Sequence, residues 1–220
     1  MPELVLAIDT TTDVTVGVAR GREVLANGRV TDRMAHVEQL MPLVHRTLAA
    51  AGVRLADVER VVVGLGPGPF TGLRVGIVTA QVLAHVRRVD LHGVCSLDVI
   101  ALDHARSGTA SAFVVATDAR RKEVYWARYG ADGTRLGGPE VSSPDAVPRL
   151  PTVGPGADVY PDRLQTVAGP RVLDAGLLAA YGLDLPSAGT EPLYLRRPDA
   201  AESAKRKSVL RILPGQDIRR

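Results

Sequence analysis

The chain has 220 residues, enough for one large domain or two of roughly 100 residues, and its 45% hydrophobic and 23% charged content is ordinary for a globular protein. Aromatic residues make up only 4%, which argues against a base-stacking platform for single-stranded nucleic acid, and the single cysteine, Cys95, excludes an internal disulfide and fits a reducing compartment. The formal charge is +3, with positive residues gathered near the end as Lys205, Arg206, Lys207, Arg211, Arg219 and Arg220, a tail that reads as a solvated extension with polyanion contact as the alternative; neither a signal peptide nor an apolar run of about 18 residues appears, so the expected place is the cytoplasm, away from membranes.

Residues 4–8 are an apolar run ending in Asp9 and the turn Thr10-Thr11-Thr12. Val14, Val16 and Val18 then alternate as a returning strand, and residues 24–30 supply a third. The spacing predicts a β-meander whose first strand presents a carboxylate at its end. In residues 36–51, Val37, Leu40, Met41, Val44 and Leu48 fall at helical intervals, with Pro42 expected to kink or loosen the helix.

Residues 61–86 read VVVGLGPGPFTGLRVGIVTAQVLAHV: a strand over 61–65, a loop of Gly66, Pro67, Gly68 and Pro69, and a helix opened by Thr71. Backbone N–H groups freed at a helix N-terminus, beyond glycines that allow close approach, make a general anion site. Neither standard phosphate motif is matched, because no Lys follows Gly72 and Thr71 stands where the last glycine of GxGxxG belongs. A phosphate cradle and a purely structural strand-to-helix turn are both open readings. Within the helix, Gly72, Gly76, Ala80 and Ala84 recur every four residues as a ridge of minimal side chains. Each glycine costs about 1 kcal/mol of helix propensity relative to Ala. A stretch that accepts this is expected to pack very closely, against another helix of the chain or one of a partner. Leu73, Ile77 and Val78 are assigned to the side facing the chain's own sheet.

The pattern then recurs. Residues 113–117 are an apolar strand ending in Asp118, followed by the polar turn Ala119-Arg120-Arg121-Lys122 and an alternating strand over 124–129. Leu6-Ala7-Ile8-Asp9 thus matches Val115-Ala116-Thr117-Asp118, which suggests duplicated βββαβα-type halves. The second half is reduced: residues 130–185 are rich in Pro and Gly, Gly154-Pro155-Gly156 faintly repeats the first loop, and short helices are expected.

Asp9-Thr10-Thr11, His36-Val37-Glu38 with Leu40-Met41-Pro42, the block from Gly66 through Gly76, and Pro192-Leu193-Tyr194-Leu195-Arg196 together resemble the bacterial TsaB (YeaZ-like) family over nearly the whole chain. The glycine block is the most discriminating part. The resemblance implies an α/β protein of the actin/Hsp70/sugar-kinase (ASKHA) class, with an N-terminal actin-like half at 1–106 and a reduced C-terminal half at 107–220 carrying the basic tail. It implies a non-catalytic subunit in threonylcarbamoyl transfer to N6 of the adenosine beside the anticodon of tRNA, acting with a TsaD-type catalytic subunit and a TsaE-type ATPase, and a homodimer when alone. No cofactor is implied as required; ATP or ADP at the interface with the catalytic subunit is left open. Contact with tRNA is expected to be indirect or through the basic tail.

For the site, the resemblance implies that Asp9 and Asp118 flank a nucleotide cleft, with Thr10, Gly66, Gly68 and Thr71 as phosphate contacts; a lost activity can leave such a scaffold behind, and structural roles for the two carboxylates are the preferred reading. The two helices would form the pairing surface, with His36, Leu40, Met41, Val44, Gly72, Gly76 and Ala80 in it and Arg74 and Gln81 at its rim. The family commonly has Ser where this chain has Pro69, which removes a backbone N–H from the loop. The TsaD-type metal site uses HxxxH in a Gly-Val-x-His-x-x-x-His context; laid on Gly93-Val94-Cys95-Ser96-Leu97-Asp98-Val99-Ile100, it finds Ser96 and Ile100, so no metal site is expected. His36, His45, His85, His92 and His104 read as surface or capping residues, and Cys95 as a small buried one. The competing class is an enzyme, either an ASKHA phosphotransferase using Asp9 and the glycine loop or a metallopeptidase-like protein. The missing ligands and the poorly formed second loop weigh against both.

Overall fold

The computed structural model describes residues 2–31 and 36–196, with the backbone alone for His36 and Val37; the basic residues from Lys205 to Arg220 lie outside the described residues. Among the described residues the strands form two sheets. In the first, the meander β1 (Leu4–Asp9), β2 (Val14–Arg20) and β3 (Glu23–Val30) is extended on the other side of β1 by two parallel strands, β4 (Arg60–Gly64) and β5 (Asp90–Val94), giving the order β3-β2-β1-β4-β5. The central strand β1 is buried throughout. Strand alternation divides it between two cores: Leu4, Leu6 and Ile8 point one way, Val5 and Ala7 the other.

The first of these cores is closed by α1 (His36–Ala50) and α2 (Phe70–Arg87), which bring Leu40, Val44, Leu73 and Ile77 onto Leu6, Val16 and Val63. Pro42 does not interrupt α1. It lies on the exposed face, as does Glu38 one turn earlier, so water can serve the carbonyl that loses its donor. The opposite core lies between the two sheets and contains α3 (Ser96–Arg106), with Leu97 and Ile100 against Phe113, Val115 and Tyr129.

The second sheet has the order β8-β7-β6-β9, from β6 (Phe113–Asp118), β7 (Val124–Tyr129), β8 (Arg135–Ser142) and β9 (Thr152–Val153), with α4 (Pro155–Val159) after β9. Here β6 repeats the place of β1, antiparallel to β7 and parallel to β9. The reduction is visible in the register. Val5 pairs with Arg60 and Val114 with Thr152, so β4 and β9 start at the same level, yet β4 continues for five residues and β9 for two. Gly154, at φ +94°, then turns the chain onto the middle of β6, where an added Cβ would sit 2.4 Å from the Ala116 carbonyl oxygen. The helix that follows has five residues, against eighteen in α2.

After β9 the chain returns to the first sheet. Helix α5 (Ala175–Tyr181) packs on β1, β2 and β3, and Gly17 of β2 is required there because an added Cβ would lie 1.9 Å from the Ala175 carbonyl oxygen. Beyond it, Ala188 N–H donates to Gly93 (2.8 Å) and Leu193 N–H to Leu65 (2.8 Å). Residues on both sides of position 106 therefore build the core between the sheets. Among the described residues no helix is long and apolar enough to cross a membrane.

Candidate functional site

Asp9, at the end of β1, is 1% exposed. Its Oδ1 accepts from the Thr11 N–H (2.8 Å) and Thr11 Oγ1 (2.6 Å), and its Oδ2 accepts from Ser96 Oγ at 2.5 Å. Ser96 Oγ in turn accepts the Gly66 N–H at 3.1 Å, while the Ser96 N–H donates to the Gly66 carbonyl at 2.8 Å. Burial raises the Asp9 carboxyl above the ordinary value of 3.8, opposed by the hydrogen bonds from Ser96 and Thr11. Gly64 is needed beside it, since an added Cβ would stand 1.8 Å from Oδ2. Strand β1, the glycine loop and the start of α3 are thus tied together at one carboxylate, whose oxygens face protein donors.

Thr10 explains the glycine ridge. Its Oγ1 donates to the Gly72 carbonyl (2.8 Å) and accepts the Gly76 N–H (3.1 Å), and an added Cβ at Gly76 would lie 2.3 Å from it. The ridge therefore packs inside the chain. Gly72, Gly76 and Ala80 are buried with Leu73 and Ile77, as are Leu40 and Val44 of α1, which corrects their expected exposure to a partner. Met41 is partly buried against the same core, and the His36 side chain lies outside the described residues. Val78 also departs from expectation: it points outward. With Val82 and Val86, which are 53% and 68% exposed, it forms an apolar stripe of exposed valines along the outer face of α2, beginning near exposed Thr71. Both rim residues are anchored to the returning segment: Arg74 Nε donates to Tyr194 Oη (2.8 Å) and Gln81 Nε2 to the Thr190 carbonyl (3.2 Å).

The loop itself is tightly held. Gly66 adopts φ +102°, Gly68 is pressed onto Thr11, and Pro67 and Pro69 carry no N–H. Pro69 is the N-cap of α2 and gives it no side-chain hydrogen bond. Beyond the loop a cleft of about 190 Å³ opens between Pro69 and Phe70 on one wall and the β6–β7 turn on the other, with Arg120, Arg121 and Arg196 among its lining residues. Asp118 ends β6 as Asp9 ends β1, with Oδ1 accepting the Arg120 N–H at 2.9 Å. Asp9 and Asp118 close corresponding hairpins, but only Asp118 belongs to the turn at this cleft.

Elsewhere, Cys95 is buried and its thiol is pushed up to about 12 by burial and by the Asp98 charge, so it is not a thiolate at neutral pH. Asp98, also raised by burial, accepts from Tyr129 Oη at 2.7 Å. His104 is not a surface residue: it is buried edge-on against Phe113, with ring centroids 4.7 Å apart.

A profile of the TsaD family, described as tRNA N6-adenosine threonylcarbamoyltransferase, matches residues 29–177. A protein of Mycobacterium tuberculosis H37Rv whose function is uncharacterized is 46% identical over 202 residues, 89% of this chain and 93% of its own length. Escherichia coli TsaB, a tRNA threonylcarbamoyladenosine biosynthesis protein, is 37% identical over 129 residues, 58% of this chain and 55% of that protein. The YeaZ structure from Pseudomonas aeruginosa superposes with a TM-score of 0.73 at 26% identity, covering 88% of this chain and all of that one. The chain belongs to the TsaD family, in its TsaB/YeaZ-like branch. Its fold is an α/β arrangement of paired, unequal halves. Within the TsaD family the positions that the resemblance gives to the histidine pair are here Ser96, hydrogen-bonded to Asp9, and Ile100, 2% exposed in the core.

Proposed function

We propose that this chain is the non-catalytic subunit of a complex that makes threonylcarbamoyladenosine in tRNA, and that it docks a TsaD-type catalytic subunit on the outer face of α1 and α2. The observation that carries the reading is the replacement of the metal-binding pair. Ser96 donates to a carboxylate of its own chain and Ile100 fills the core, neither of them a ligand for a transition metal. Among the described residues no three His, Cys, Asp or Glu side chains gather to hold a metal ion. The TsaB name of the Escherichia coli relative supports the pathway, and the exposed Val78, Val82 and Val86 stripe supports the docking face.

In this reading the 1–106 half carries the docking face, and contact with tRNA is indirect or made by the basic tail of the 107–220 half. The catalytic subunit transfers threonylcarbamoyl to N6 of the adenosine beside the anticodon. This chain contributes by binding the competent conformer of that subunit more tightly than the others, which shifts its population by the difference in affinity. A TsaE-type ATPase resets the complex, ATP or ADP lodges at the subunit interface, and in the catalytic subunit's absence the same face pairs two copies. All of this takes place in the cytoplasm.

Size-exclusion chromatography with light scattering, on this protein mixed with the TsaD-type subunit of its own cell, tests the proposal. A stable heteromer that forms threonylcarbamoyladenosine only when both proteins are present is the expected result. Full modification without this chain, or the absence of any complex, would refute it.

A further inference from the structure

We propose that Arg74 is the polar anchor of the docking face, held in place by Phe70 and Tyr194 to receive a carboxylate that the docked subunit presents among apolar side chains; the inference rests on the functional reading above and names the chemistry that the face selects. Thr71, Arg74, Val78, Val82 and Val86 follow one another at intervals of three or four residues, so they form one row along the outside of α2, and all five are exposed. Arg74 is the charged member of that row, one turn before the valines begin. A helical side chain leans toward the N-terminus of its helix, which carries this guanidinium back over Phe70, 3.9 Å from the ring centroid. Tyr194, from the returning segment, stacks on the same ring with centroids 5.0 Å apart, and its Oη accepts from Arg74 Nε at 2.8 Å. The neighbouring Leu193 is fixed to the Leu65 carbonyl through its N–H (2.8 Å) and packs against the core, so the tyrosine is held from the body of the first half.

The outer edge of the guanidinium stays open. Its Nε is engaged and one face covers a ring, while among the described residues no ion pair engages its two terminal amino groups. Other arginines of the chain differ in this respect: Arg22, Arg29, Arg54, Arg60, Arg163 and Arg171 each pair with an Asp or Glu. Arg74 is thus fixed in position without a charge partner. A side chain already ordered loses little freedom on binding, and its free edge matches the two oxygens of a carboxylate.

Charge decides the occupant. The eighteen residues of α2 include no Asp or Glu, and its other exposed titratable groups are His85 and the C-cap Arg88. Among the described residues, α1 beside it exposes His45 and Arg46 against the single acid Glu38. A second copy seated here would set this positive surface against itself, because a two-fold contact pairs a patch with its own copy. A partner whose carboxylate stands among apolar side chains satisfies the arginine and the valines together.

The test measures the affinity of the full chain for the TsaD-type subunit by titration calorimetry at a series of salt concentrations, with thermal melting of every variant. Arg74→Gln should weaken the complex at least about tenfold and flatten its salt dependence. Tyr194→Phe keeps the stack and removes the hydrogen bond, so its loss should be smaller, about two- to fivefold. Arg128→Gln, an exposed charge on β7, should change neither quantity. Arg74→Glu should abolish the complex, and one Asp→Lys or Glu→Lys substitution in the partner should restore it; if none does, no carboxylate faces Arg74 and the proposal falls. A melting temperature that drops in Arg74→Gln while affinity and salt dependence hold would make Arg74 a brace for Tyr194 and overturn the proposal. Self-association lost in that variant with the heteromer intact would overturn it too, making a second copy the occupant. A parent that forms no complex refutes the functional reading and this inference with it, whereas a parent complex indifferent to Arg74 refutes the inference alone.

Discussion

Asp9 and Asp118 end corresponding strands and begin with the same bond. Each Oδ1 accepts the N–H two residues on, from Thr11 at 2.8 Å and from Arg120 at 2.9 Å. What separates them is the covering. In the first half the start of α3 lies over the turn and Ser96 closes the second oxygen, so the carboxylate becomes a buried tie between strand, loop and helix. In the second half the turn keeps its basic residues exposed, and the carboxylate's other oxygen faces Arg120 at 3.5 Å. A repeated local motif thus becomes a structural tie where a helix seals it and stays exposed where none does.

The contrast can be broken most sharply at the sealed half. Gly76→Leu forces a side chain into Thr10 and should destabilise the fold by about 3 kcal/mol or more, read by urea unfolding; a variant of normal stability would return the ridge to the surface. Asp9→Ala strands the buried Ser96 and Thr11 donors and should cost about 2 to 3 kcal/mol, against less than about 1 kcal/mol for Asp118→Ala. Equal losses would erase the distinction between the halves.

A smaller effect separates charge from hydrogen bonding at Asp9. Because burial raises its carboxyl in the folded protein, the unfolded chain ionises first as pH rises above 3.8, and the parent loses stability relative to Asp9→Asn until the folded carboxyl has ionised as well. Below pH 3.8 the difference should be constant. Chemical unfolding of both proteins across this range checks the sign; a parent that gains on the variant with rising pH would mean that hydrogen bonding, not burial, dominates at Asp9.

Much of this was legible in the sequence because periodicity reports local structure directly. The meander, α1, β4, α2 and the β6–β7 pair follow from alternation or helical spacing, and the Asp9–Asp118 repeat announced the duplicated halves. Strands β8 and β9 did not show, since Gly137-Gly138-Pro139 breaks the alternation of one and the other has only two residues. The ridge's four-residue spacing demands close packing, but spacing along a helix does not say what approaches it. The neighbour was Thr10, more than sixty residues away in the chain. For the same reason Ser96 stood out only as a missing ligand, when its partner was Asp9. Left-handed backbone at Arg120, Arg121 and Lys122 leaves no trace in residues that ordinarily avoid it.

The central claim is that α2 turns its glycine ridge inward and pairs through its valines. Val78 and Val82 are each 53% exposed, so replacing both by Asp should change stability by no more than about 1 kcal/mol. Light scattering of that variant mixed with the TsaD-type subunit decides the matter. Two separate species with an unchanged melting temperature are the expected result, and a heteromer formed as readily as with the parent protein would contradict it.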